Sequence, residues 1–340
     1  MLIPPEVVFH LFFQTLSPSD RERYLGKHDL SGLDPGFDAL LLAIQDAWVE
    51  GLKNERPVPE HVDHPPFHLD YVDSNIPNAL AFRYEGYSFI GITISLIFAL
   101  WDRSVQLSTS ESVASLLNLK LEELESGALR VVFFRIMLMF VVTHEYTHHV
   151  HGHVIPAEAG SLFSNEIMDG AQVGSLGQQA VEADADGYAV YHLFNNLVDG
   201  SARPSIVNLL KLDSLSLKQQ EESIFDCVVI AVGTFLLLRP APTLDKNTIY
   251  RLTHPPHAAR MHLIMIWAIR WCKKMRPDLE GWMQPARFLA LMAGVAQTFW
   301  GSDGVVQKEW GAQSTFLQSE DGLEYMKALD ASISAHISSL

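Results

Sequence analysis

Two histidines four residues apart, His144 and His148, with Glu145 beside the first, are the side chains of this sequence best placed to do chemistry. Positions four apart on a helix lie on one face. The two imidazoles can therefore grip one cation from the same side, and Glu145 sits next to that face, where it can hold a water. Zinc takes neutral imidazole nitrogen readily and keeps one position open for water in catalytic sites. The bland alternative is a buried helix carrying two satisfied histidines. A third ligand from another segment separates the two readings.

The candidate third ligand is Glu182, in the run Ala180-Val181-Glu182-Ala183-Asp184-Ala185-Asp186-Gly187. Glu182 and Asp186 are one helical turn apart and point the same way. One can bind a metal while the other accepts the free N–H of a ligand imidazole, which fixes the tautomer and strengthens the ligand. Ala183, Ala185 and Ala189 are small enough to let such a helix approach the His144 helix closely. Asp184 is expected to point elsewhere, into solvent. Without His144 and His148 the whole stretch would read as an exposed acidic face. A third segment, His254-Pro255-Pro256-His257-Ala258-Ala259-Arg260, offers His254 and Arg260 as donors for a developing oxyanion. By residue type alone His254 is only a turn histidine. His149 and His151 read as flanking residues: His151 lies roughly 10 Å from His144 along a continuous helix, too far for one ordinary zinc. The role of His153, past Gly152, is left open.

These groups need elements to position them. Leu129 to Val142 is almost wholly apolar, broken only by Arg130 and Arg135, and predicts a buried helix that delivers His144, with Gly152 as its stop. A second helix is expected over Gln178–Leu197. Gly36–Lys53 has apolar residues at three- and four-residue steps and predicts an amphipathic helix. Asn78–Tyr84 has β character with a turn at Glu85-Gly86, and Tyr87–Ile94 follows as a second strand or a helix start. A hairpin here would be ordinary structure or, equally, the edge strand that receives a substrate backbone, with Asn78 and Ala79 on it. The prolines around His61, His64 and His68 predict a turn-rich linker rather than a metal site. Pro156–Gly177 reads as a loop, with a lid and a passive connection equally open. From Ile206 onward the pattern is mainly helical. The fold class expected is mainly α with a small β-sheet, α+β.

Composition narrows the functions. The chain has 340 residues, 48% of them hydrophobic, enough for a large core. Its net charge of -16, from 40 acidic and 24 basic residues, opposes a nucleic-acid surface. Cys227 and Cys272 both sit in apolar segments and read as buried thiols of a reducing compartment. The start of the sequence has no basic region like that of a signal peptide. The longest apolar stretches hold about 12 or 13 residues, short of the roughly 20 that cross a bilayer. A cytoplasmic protein with no membrane span is expected.

Together, His144–His153, Glu182–Asp186 and Thr253–Arg260 resemble the zinc proteases in which His-Glu-x-x-His is followed by Glu-x-x-Ala-Asp and then His-Pro. These are gluzincins, and they include the CAAX prenyl endopeptidases, the heat-shock membrane proteases and the soluble phage-exclusion Lit peptidases. The Gly152-His153 ending is similar to the prenyl proteases, and the short apolar segments favour the Lit-like branch. The resemblance covers about a third of the chain. It implies a zincin-like fold, one Zn2+ held by His144, His148 and Glu182, and Glu145 as catalytic base. Asp186 would stand behind the ligands, with His254 and Arg260 near the oxyanion. The organisation expected is an N-terminal helical arm and linker (1–70), a catalytic domain (71–275) and a helical extension packed on it (276–340). The function expected is endopeptidase action on an intracellular protein in a phage-defence or regulatory setting, restrained by a partner protein, an activator or a lid. The alternatives are a silenced or partner-gated regulatory protein whose zinc is structural, and a membrane-associated prenyl-type protease.

Overall fold

The computed structural model describes residues 3–54, 66–154, 174–238, 244–279, 281, 284–300 and 305–338. Over these the chain is mainly helical, with one small sheet. In order it forms α1 (Pro5–Thr15), α2 (Pro18–Arg21), α3 (Pro35–Asn54), β1 (Phe67–Val72), β2 (Ala79–Tyr84) and β3 (Tyr87–Thr93). There follow α4 (Ile94–Ser108), α5 (Glu111–Leu116), α6 (Ala128–Val150), α7 (Leu176–Phe194), α8 (Arg203–Leu209) and α9 (Leu217–Leu236). The last helices are α10 (His257–Met275), α11 (Pro285–Trp300), α12 (Val305–Leu317) and α13 (Glu320–Ile337). No helix among the described residues is long and apolar enough to cross a membrane. The described residues fall into two compact units, one within 3–99 and 144–154, the other within 100–143 and 174–338.

The first unit is built on a three-stranded sheet of order β1-β3-β2, in which β1 runs parallel to β3 and β2 antiparallel to it. The β2–β3 turn places Glu85 and Gly86 at φ of 47° and 78°. Positive φ at both central residues is the two-residue hairpin geometry that matches strand twist. Phe9, Phe12 and Phe13 of α1 cover one face of the sheet. Phe12 stacks on Phe82 with ring centroids 3.9 Å apart, and Phe9 meets Phe89 edge-on at 5.6 Å. Gly91 makes room for this layer, since a Cβ there would stand 2.9 Å from Val72 and 3.5 Å from the Phe9 ring. From α3, Gln45 donates to the Leu69 carbonyl at 2.7 Å, and the Leu41 carbonyl accepts from the Tyr71 hydroxyl at 2.9 Å.

Strand β1 lies where the prolines suggest a linker. The residues Phe67-His68-Leu69-Asp70-Tyr71 alternate apolar and polar, the period of a half-buried strand, and this strand spans the boundary expected at residue 70. His68 sits in it, 3.1 Å from the buried Asp70 carboxylate, which also pairs with Lys27 at 2.6 Å. Burial alone would raise the Asp70 pKa. The donors His68 and Lys27 and the Tyr71 N–H outweigh it and hold the carboxyl below the usual carboxylate range. His61 and His64 fall outside the described residues, as does most of the expected 156–177 loop.

The second unit packs helices on helices. Phe134 of α6 meets Trp101 edge-on at 5.2 Å, and Phe140 meets Phe235 of α9 at 5.5 Å. Helix α9 opens with a capping box in which Ser216 and Gln219 satisfy each other's backbone N–H groups. Helix α7 lies against α10 and α13. Gly187 sets one of those approaches: a Cβ there would fall 2.5 Å from the Trp267 ring. Arg287 pairs with the buried Asp226, and Arg276 binds Glu221 at 2.8 and 2.7 Å.

Candidate metal centre

Helix α6 delivers the histidine pair. Its residues from Val132 to Val150 are buried nearly all round, as the apolar run requires. It ends where glycine predicts: Gly152 adopts φ of +70°, and the Val154 N–H turns back to the His148 carbonyl at 3.1 Å. His144 and His148 therefore project from one face of the last two turns. Their Nε2 atoms are 3.1 Å apart, and both side chains are buried. Two nitrogens each about 2.05 Å from a tetrahedral zinc sit roughly 3.3 Å from one another. The pair is thus already at the spacing that one ion requires. Glu145, between them in sequence, is wholly buried.

The neighbouring histidines have other work. His149 Nε2 lies 2.9 Å from the Phe89 carbonyl of β3, which ties the end of α6 to the sheet. Phe67 of β1 packs on both Tyr146 and His149. His153 Nδ1 stands 3.1 Å from His148 Nδ1. That contact gives His148 a partner on its far side from His144, the arrangement that orients an imidazole ligand.

Helix α7 carries the carboxylates. Ser175 caps it by accepting the Gln178 N–H at 3.2 Å, and Gly174 permits the close pass of the chain at Leu252, whose carbonyl oxygen is 2.2 Å from where a Cβ would be. Gln179, Glu182, Asp184 and Asp186 are all buried among Ala180, Ala183, Ala185 and Gly187. Glu182 Oε2 is 3.2 Å from His254 Nε2, and His254 Nδ1 is 3.0 Å from the Thr253 hydroxyl. Asp186 accepts two hydrogen bonds from Arg260 of α10, at 2.8 and 2.7 Å, with both side chains out of solvent. Asp184, expected in solvent, is buried, and His336 of α13 lies 3.7 Å from it.

One donor atom from each of His144, His148 and Glu182 lies within 4.8 Å of the other two, and all three residues are buried. Two imidazoles and a carboxylate are donors that suit zinc, so the group could hold a metal ion. The residues fit the ion that the sequence predicts. A second such group is formed by His151, His153 and Asp184. Asn78 and Ala79, the expected substrate edge, are both buried. Asn78 donates from Nδ2 to the Tyr24 hydroxyl at 2.9 Å, and Ala79 pairs with Ile92 in β2, an outer strand of the sheet among the described residues.

Gln179 is the residue that sequence reasoning misses. Its Nε2 donates to the Ile249 and Leu252 carbonyls at 2.8 and 2.9 Å, just ahead of His254, while its Oε1 accepts from the Tyr325 hydroxyl of α13 at 2.5 Å. The signal was present: Gln179, Glu182 and Asp186 form a polar stripe at helical spacing between small residues. Comparison with protein-family models, curated proteins and solved structures finds no match to this chain.

Proposed function

We propose that this protein is a zinc-dependent endopeptidase that cleaves an intracellular protein, with a zincin-like catalytic fold. The observation that carries the reading is the buried group of His144, His148 and Glu182, with Glu145 adjacent to the first ligand on the same helix. When bound there, zinc would act as a Lewis acid on a carbonyl and make water acidic enough to react near neutral pH.

The chain's own residues do the rest. Glu145 takes the proton of the attacking water and returns it to the leaving amine. His153 holds His148 in orientation through the 3.1 Å contact between their Nδ1 atoms. His254, whose Nε2 lies beside Glu182, is the candidate donor for the developing oxyanion. Arg260 serves the site through Asp186: its two hydrogen bonds to that carboxylate fix α7 against α10. Asn78 and Ala79 stand as the candidate backbone edge for substrate.

Glu145→Gln tests the reading. The variant keeps its fold and its zinc, and its turnover falls by at least about a hundredfold, the usual worth of a general base. New protein termini mapped in cells expressing wild type, and absent with the variant, identify the substrate. Equal cleavage by both, or cleavage that survives complete removal of zinc by a chelator, contradicts the assignment.

A further inference from the structure

His151, His153 and Asp184 belong neither to the ligand set above nor to the oxyanion group. We propose that they form a second divalent-cation site, of the zinc class, beside the first. One donor atom from each lies within 4.8 Å of the others. Asp184 is 5% exposed, too buried to be an ordinary surface carboxylate. His336 of α13 approaches Asp184 to 3.7 Å and supplies a third imidazole at the edge of the group. Two or three imidazoles with one carboxylate suit zinc and not calcium or magnesium, which take oxygen ligands.

The contact between His148 and His153 settles which nitrogens are used. It joins two Nδ1 atoms at 3.1 Å, so one must donate and the other accept. With His148 bound to the first ion through Nε2, its Nδ1 carries the proton, and His153 Nδ1 is the acceptor. That clause rests on the peptidase reading; the existence of the second group does not. His153 then offers its remaining nitrogen, Nε2, to the second ion. A cation there replaces the Nε2 proton, holds the ring in place and fixes the hydrogen bond that orients His148. Gly152 makes the arrangement possible, because its positive φ folds His153 back towards the helix end.

The test counts zinc. The full-length protein is loaded with zinc, passed through a desalting column and measured by elemental analysis, alongside His144→Ala, Asp184→Asn and His151→Ala. Circular dichroism and melting temperature show which variants are folded. His151 is half-buried, so its variant tests the site even if Asp184→Asn does not fold. The wild type is expected to retain two ions per chain. Asp184→Asn and His151→Ala each retain one, and His144→Ala retains one. A wild type that saturates at one ion, lost in His144→Ala and kept in the other two, overturns the second site and leaves the first intact. One ion lost in Asp184→Asn and kept in His144→Ala overturns the peptidase reading instead. Zinc that binds without saturating and washes away on desalting overturns the second site as adventitious binding by a histidine-rich segment.

Discussion

Replacing Arg260 by leucine removes the counter-charge of Asp186 and leaves that carboxylate in the interior. Arg260 is 1% exposed and Asp186 is fully buried, and the pair is bidentate. An exposed ion pair contributes about 0–1 kcal/mol. Breaking a buried pair from one side costs about 3–5 kcal/mol, because the remaining charge stays out of water without its counter-ion. The buried figure applies here. With a urea slope of about 2–3 kcal/mol per molar, the midpoint of unfolding moves down by about 1–2 M. Trp267 and Trp271 lie on α10 with Arg260, so tryptophan fluorescence during urea titration follows the unit concerned. Asp186→Leu alone removes the counter-charge of the buried guanidinium and destabilises similarly. The double variant regains most of the loss, since no orphan charge remains. Asp186 lies one turn from Glu182, so each single variant also weakens zinc binding, by about 10–100-fold, the range for groups that support metal ligands. An Arg260→Leu variant that loses less than about 1 kcal/mol, or a double variant no better than the worse single, would refute the reasoning.

Other substitutions probe the same scaffold. Gly187→Ala drives a methyl to 2.5 Å from the Trp267 ring and lowers stability by about 1–3 kcal/mol, read from the thermal midpoint. Tyr325→Phe deprives buried Gln179 Oε1 of its donor and costs about 1–3 kcal/mol in the same measurement, with the metal count unchanged. Burial raises the Asp226 carboxyl to about 6, against the opposing pull of Arg287. A raised carboxylate stabilises the fold below its unfolded pKa, and that contribution is lost as pH climbs through about 6. The wild type therefore loses on the order of 3 kcal/mol relative to Asp226→Asn between pH 4 and 7, measured by denaturant titration at each pH. A parallel pH dependence of the two proteins would remove Asp226 from the account.

The sequence carried α6 and its histidines in full, because a long apolar run and a glycine stop are local signals, and residues four apart need only a helix to meet. The β2–β3 hairpin was equally legible from Glu85-Gly86. Strand β1 was obscured by the prolines before it, although the alternation from Phe67 to Tyr71 was there to be read. Asp184 could not be placed from its type: a carboxylate is expected in water until something distant covers it, and here His336 lies beside it. The partners of Gln179 were out of reach for the same reason. Its three hydrogen bonds go to Ile249, Leu252 and Tyr325, and no local pattern announces pairings at that range. The group of His144, His148 and Glu182 was predictable only because residue chemistry demanded a third ligand and the chain offered an acidic turn on an alanine-rich helix.

The hydroxyl of Tyr325 meets Gln179 across 146 positions of sequence. On a ribosome, α7 emerges long before the segment that pins it. While the nascent chain lacks α13, the Gln179 side chain has no phenol to accept from, and the Asp184 carboxylate has no His336 nearby. The polypeptide therefore acquires a fully fastened carboxylate helix only at a late stage of its synthesis.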